Sequence, residues 1–298
     1  MVSFTYVPKD SSPAEKTVYQ KELFVDELKM VPTTKYSFEH RIPGVGYVRC
    51  GPDSTTEYSL DCPEFTFKGK TTSRTPWSED TECPESMLVH LPLPLHWHVQ
   101  SLASKTDFSL KIPGYNLPAE DREGVAKVHQ EKNWAMSFPS AHIWIQSRDE
   151  DRGLCIAGGQ ILGLEAYLLG YRAKDPRYSL DFRPPFAVKI PYLGSPTMSV
   201  SQSWEDRSFH LSIQSWRQKI VIKASAPKGT FFSLTSPFAE GHRENFLGQS
   251  FKATIKVQVY EAGWFSPWEL KHEDEFEDAS LEFGGGYYPP AGSKDRFH

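Results

Sequence analysis

The chain has 298 residues, with 33 Lys and Arg against 38 Asp and Glu and a formal charge of −5. No excess of positive charge is present to draw in phosphate backbones, so nucleic acid is not an expected partner. Hydrophobic residues make up 39% and charged residues 24%, proportions of a globular chain and not of a disordered or fibrous one; at this length about two domains are expected.

The chain opens MVSFTYVPKDSSPAEK, with no basic start followed by an apolar stretch, and Asp10 and Glu15 are unlike an organelle transit peptide. No cleaved targeting segment is expected. The four cysteines, Cys50, Cys62, Cys83 and Cys155, form no CxxC pair and are too few to staple the chain, which makes a reducing, cytoplasmic setting the default. One region reads as helix, from Ser12 to Met30. Ser11 and Ser12 can cap a run that opens with Pro13, Ala14 and Glu15, and Val18, Leu23 and Leu28 keep roughly one face.

After that, period-two patterns take over. Residues 113 to 130 are polar, contain Gly and Pro and separate two strand-rich regions, so a first β-domain is placed at 1–125 and a second at 126–298. Residues 153 to 171 are the best membrane-span candidate, but five glycines and Glu165 interrupt them; a pair of buried strands explains them better, and no integral membrane segment is expected. Tyr178, Leu180 and Phe182 alternate with polar neighbours, as do Phe209, Leu211 and Ile213. The clearest strand sets Phe251, Ala253, Ile255, Val257 and Val259 against Lys252, Thr254, Lys256, Gln258 and Tyr260. The acidic stretch from Glu269 to Asp278 reads as a solvated loop between the last two strands. Short strands punctuated by Pro, Gly, Asp and Asn imply an antiparallel all-β architecture, barrel or sandwich.

Two segments carry candidate chemistry. In LHWHVQSLA, alternation puts His96, His98 and Gln100 on one strand face and Leu95, Trp97 and Val99 on the other. Paired imidazoles ligate metals when a carboxylate or third His stands near; none follows at short spacing, so no metal is expected. Acid/base or hydrogen-bonding work in a pocket is the functional reading, and histidines satisfied on the surface or in the core are the plain one. In EKNWAMSFPSAHIWIQ, a strand starting near Ala141 places His142, Trp144 and Gln146 on one face and Ile143 and Ile145 on the other. Aromatic rings stabilise cations through their faces, while Gln and His hold polar groups in place, so the first face suits a ligand pocket. Glu131, Asn133 and Trp134 lie just before it; they equally fit an exposed turn and a core Trp. Nucleophilic catalysis has little support, because no GxSxG elbow is present and Cys155 lies in an apolar run, as an inert buried thiol would. No GxGxxG or P-loop pattern is present, which argues against nucleotide cofactors.

EKNW, FP and IWIQ between 131 and 146, preceded by LHW at 95 to 97 and followed by AGG at 157 to 159, VQVYE at 257 to 261 and LEFGGG at 281 to 286, together resemble the tocopherol cyclase family in order and spacing over roughly residues 90 to 290. The strands around Tyr47 to Lys68 match only loosely. The resemblance implies two lipocalin-like β-units of the calycin group, with carotenoid hydratases and fungal Diels–Alderases as relatives, that host long apolar ligands. It also implies chemistry that protonates a prenyl double bond and lets a phenol oxygen close a chroman ring, without a cofactor. His96, Trp97, Glu131, Asn133, Trp134, Trp144 and Gln146 fall on the family-like motifs. EKNW is followed here by AMS where the plant enzymes have GG, the N-terminal part is shorter, and no plastid address is present, which points to specialised metabolism.

Three functions follow as expectations. The first is a cofactor-independent cyclase of an apolar prenylated or polyene molecule, acting by general acid catalysis with Glu131, His96 and His98 as acids. Trp97, Asn133, Trp134, His142, Trp144 and Gln146 then bind substrate. The second is a pericyclase that folds its substrate and donates hydrogen bonds. The third is a non-catalytic carrier of lipid or pigment.

Overall fold

The computed structural model describes residues 1–10, 13–34, 37–78, 83–136, 138–149, 151–238, 240–263, 266–290 and 292–293. Its contacts divide the chain into two units that interleave in sequence. One holds residues 1–6, 19–76 and 99–131; the other holds 7–18, 77–98 and 132–298. The fold is all-β and antiparallel.

In the first unit, β1 (Val2–Tyr6) pairs with β2 (Tyr19–Leu23). A seven-stranded sheet, of which residues 95–98 and 132–135 are counted with the second unit, follows in the order β3 (Lys29–Thr34), β4 (Ser37–Ile42), β5 (Gly46–Cys50), β6 (Thr56–Asp61), β7 (Thr66–Thr71), β8 (Leu95–Lys111) and β9 (Glu123–Ala135). Tyr6, Phe65, Ile112 and Leu117 form a small core. The expected helix from Ser12 to Met30 is corrected here: helix α1 spans only Ala14–Thr17, Tyr19–Leu23 is strand, residues 24–28 are irregular, and the next strand starts at Lys29. Ser11 and Ser12, the expected caps, lie outside the described residues. One turn of helix fixes many dihedrals for few hydrogen bonds, whereas Tyr19 to Leu23 gain a full antiparallel partner in Val2 to Tyr6.

The second unit is one sheet of eleven strands: β10 (Ala141–Asp149), β11 (Arg152–Ile161), β12 (Leu164–Arg172), β13 (Leu180–Phe182), β14 (Val188–Lys189), β15 (Met198–Ser203), β16 (Ser208–Gln214), β17 (Gln218–Ser225), β18 (Phe232–Phe238), β19 (Gly241–Glu261) and β20 (Glu269–Gly285). Its main path runs β13-β12-β11-β10-β20-β19-β17-β16-β15, while β14 pairs with β12 and β18 with β19. In a flat sheet β12 and β16, six strands apart on that path, would lie about 29 Å apart. Instead the rings of Tyr167 and Phe209 are 5.7 Å apart, centroid to centroid. The sheet therefore curls until its two halves share one core, built from Ile143, Ile145, Phe209, Ile222, Val257 and Phe283 among others. Among the described residues no strand pairing joins β13 to β15, so the sheet wraps without closing. The glycine-broken segment at 153 to 171 is the β11–β12 hairpin. No described helix is long and apolar enough to cross a membrane.

The acidic stretch is a second correction. Residues 269 to 278 are not a loop but the first half of β20, in register with β19. Cross-strand partners spread the charge: Lys256 pairs with Glu275 at 3.1 Å and Gln258 donates to Glu273 at 2.6 Å. Phe276 points into the core. Alternate outward carboxylates facing cross-strand donors are compatible with a strand, and net composition hides that alternation.

Asp274, on the same strand, ties β20 to β11 and β12. Its carboxylate meets Arg152 at 2.6 Å and His272 at 3.2 Å and accepts from the Tyr171 hydroxyl. Burial pushes the Asp274 carboxyl up, but the hydrogen bonds from Tyr171, His272 and Arg152 outweigh it and hold the carboxyl below its ordinary value. A depressed native value contributes stability that is fully present above the unfolded value of ~3.9 and is lost as pH falls through the native one. Asp274→Asn is therefore expected to cost about 2 kcal/mol at pH 7, a gap that closes as pH falls below ~3.9. Urea unfolding of both proteins across that pH range checks this.

Candidate active site

The strand face expected to carry His96 and His98 forms as read: Trp97 and Val99 are buried and the two histidines partly so. Residues 95 to 98 belong to the second unit. Glu85, just before a short 3-10 turn at Ser86–His90, organises them. One of its carboxylate oxygens lies 2.7 Å from His96 Nδ1 and the other accepts from the Trp97 backbone N–H at 2.6 Å. Glu85 is 3% exposed, so a carboxylate is buried with both oxygens engaged. Because a carboxylate accepts, Nδ1 carries the hydrogen, and Nε2 is the ring atom left for proton exchange. Among the described residues only Nδ1 of His96 is hydrogen-bonded.

The Trp134 ring stacks on His96, with centroids 5.3 Å apart and planes 24° from parallel. Trp134 is 42% exposed, and Lys132 Nζ lies 5.3 Å from its ring centre. Asn133, between them on β9, points the other way and is exposed. Trp97 is buried and stands edge-on to Trp77 at 5.4 Å. Trp77 in turn covers Gly170, where a Cβ would come within 2.6 Å of the indole.

The outer face of β10 carries His142, Trp144 and Gln146, opposite the core residues Ile143 and Ile145. His142 Nε2 is 3.0 Å from Glu282 Oε1 on the neighbouring β20. Phe138 meets the imidazole edge-on at 5.4 Å and Phe246 stacks on it at 6.2 Å. The ring passes over Gly284, where a Cβ would stand 1.9 Å from it; this gives the second half of LEFGGG a physical reason. Gly284→Ala is expected to cost about 1–3 kcal/mol through overpacking, read by urea unfolding, and a cost-free variant would contradict the placement of the ring. Gln146 is buried and accepts from Arg148 Nη1.

Glu131 lies in the first unit, its Oε2 2.9 Å from His129 Nε2. His129 Nδ1 faces the Leu102 carbonyl at 3.3 Å. Cys155 is buried in β11 and no disulfide joins the cysteines. His96 and Trp134 thus come together, as do His142, Trp144 and Gln146 on one strand. Sequence reading missed Glu85, which belongs to no motif, and Glu282, which stands inside LEFGGG; each reaches its histidine through tertiary structure.

No family model matches the chain, and no curated protein matches it. Among solved structures, kievitone hydratase from Nectria haematococca is similar over 90% of this chain and 74% of that chain, with a TM-score of 0.48 and 10% sequence identity.

Proposed function

We propose that the protein is a cofactor-independent cyclase of an apolar prenylated small molecule, with His96 as the proton donor. The carrying observation is the Glu85–His96 pair beside the half-exposed Trp134 ring. Glu85 supplies the counter-charge for an imidazolium at His96 and fixes which nitrogen faces outward. The Nε2 proton passes to the less substituted carbon of a prenyl double bond, forming a C–H bond and leaving a tertiary cation, which the Trp134 ring face stabilises. A phenol oxygen of the same molecule closes the C–O bond, and its proton returns to Nε2. The sum is an isomerisation, with no reductant, oxidant or water consumed. His98, on the same strand face, and Glu131, whose carboxylate lies 2.9 Å from His129 Nε2, are the further proposed donors. Trp97, Asn133, Trp134, His142, Trp144 and Gln146 are proposed to shape or bind the substrate. Incubation with prenylated phenols tests the reading: a product of unchanged mass and altered chromatographic retention supports it, and recovery of every substrate unchanged opposes it.

A further inference from the structure

We propose that two neighbouring turns of the second unit, at Leu162–Gly163 and Pro191–Leu193, form a surface that docks on a zwitterionic lipid bilayer. The inference goes beyond the cyclase reading and does not depend on it, since it concerns where the chain sits and not what it catalyses.

The β11–β12 hairpin turns through Leu162 and Gly163, because Ile161 pairs with Leu164. Pro191, Tyr192 and Leu193 form the second turn. It is closed by the Ile190 N–H donating to the Gly194 carbonyl at 3.0 Å and the Gly194 N–H donating back at 2.9 Å. β14 joins β12 at Glu165 and Lys189, so the two turns leave adjacent strands just beyond that pair. Leu162 is 73% exposed, Leu193 is 81% exposed and Tyr192 is wholly exposed, with Leu164 and Ile190 exposed beside them. A Cβ added at Gly163 or Gly194 would meet nothing within 4 Å, so both turns stand clear of the residues around them. Five large apolar side chains on two adjacent projecting turns are a patch of the kind that marks an interaction surface.

The backbone gives a second, independent sign. Leu162 and Tyr192 have φ of 52° and 66°, the left-handed region that is costly for any residue with a bulky side chain. Leu162 and Gly163 both have positive φ, as in a type I′ turn, where Asn-Gly is the favoured pair. Both turns thus carry a large apolar residue where Asn or Gly folds more easily. Strain kept at an exposed apolar position points to a use for that side chain outside the fold.

Charge identifies the occupant. Residues 161–164 and 190–194 contain no charged residue, and their one polar side-chain group is the Tyr192 hydroxyl. At their base Glu165 and Lys189 face each other at 3.7 Å, and Glu165 also accepts from Tyr167 at 3.2 Å and Tyr287 at 3.0 Å. A protein partner or a second copy of this chain would meet almost no hydrogen-bonding side chain, whereas protein interfaces carry about one hydrogen bond per 100–200 Å². An anionic membrane would meet no free cation to attract it. Lipid hydrocarbon asks for neither, and a tyrosine suits the level of the headgroups. Neutral projecting apolar turns therefore match a zwitterionic leaflet.

The test is co-sedimentation of the full chain with vesicles of phosphatidylcholine, alone and with phosphatidylserine added. Half of the protein is expected to bind at about 0.1–1 mM lipid, the strength of a single modest anchor, and phosphatidylserine should change this by no more than about twofold. Leu162→Asn and Tyr192→Asn should each weaken binding about tenfold. Asn suits the left-handed conformation, so neither variant should lower Tm, and the loss cannot then be laid to misfolding. His96→Asn should bind vesicles as the wild-type protein does, which separates failure of the docking surface from failure of the proton donor. Absence of binding to phosphatidylcholine, binding only when phosphatidylserine is present, or binding that both Asn variants retain overturns the proposal. A dimer that the Asn variants dissociate, without vesicle binding, assigns the turns to a second copy and overturns it as well.

Discussion

His96→Asn is expected to lower kcat/KM for ring closure of a prenylated phenol by about 10²–10⁴-fold, the usual contribution of a positioned general acid. Asn matches the imidazole roughly in size and still hydrogen-bonds Glu85, so packing around Trp97 and Trp134 is kept while the exchangeable proton at Nε2 is lost. Glu85→Gln should cost less, about 10²-fold, because a neutral amide still holds Nδ1 but supplies no counter-charge. Steady-state kinetics of the two variants, with His98→Asn and Glu131→Gln in parallel, gives the ranking. The account requires His96 to head it; a His96→Asn protein with wild-type kcat/KM removes the proposed donor.

The second large effect is on stability. Phe283→Ala is expected to destabilise the second unit by about 3–5 kcal/mol. Phe283 is fully buried on β20, which pairs with β10 on one side and β19 on the other. Its ring meets Trp204 at 5.5 Å and Phe231 at 6.1 Å, and Trp204 packs edge-on to Tyr288 at 4.8 Å. Truncation leaves a cavity where the curled sheet meets itself, with aromatic walls too rigid to collapse into it. Phe283→Leu, which keeps most of the volume, should cost no more than about 1.5 kcal/mol. Urea unfolding followed by tryptophan fluorescence measures both, and Trp204 is a direct reporter of the damaged region.

Much of the sheet is legible in the sequence. Alternation in β16 and β19 identifies the buried Phe209, Leu211, Ile213, Ile255 and Val257, because a strand with one wet face must place apolar side chains at every second residue. The same rule sorts His142, Trp144 and Gln146 from Ile143 and Ile145, and His96 and His98 from Trp97 and Val99. What local pattern cannot show is a competition won by tertiary partners. Residues 19 to 23 carry a helical face, yet β1 offers five residues of pairing that a helix must forgo. Residues 269 to 278 carry the charge of a loop, yet β19 offers Lys256 and Gln258 across the ladder.

The site is less legible than the sheet for the same reason. The two histidines are visible as strand residues, but the carboxylates that set their tautomers are not: Glu85 sits in an irregular segment, and Glu282 is 140 residues from His142. Gly284 is a weak motif until the His142 ring is seen crossing it.

Reaction of a prenylated phenol in deuterated buffer tests the central claim most directly. The account predicts a cyclised product with one deuterium on the prenyl carbon that receives the proton, and loss of that product in the His96→Asn protein. A cyclised product carrying no deuterium at that carbon, formed at an undiminished rate by His96→Asn, would contradict it.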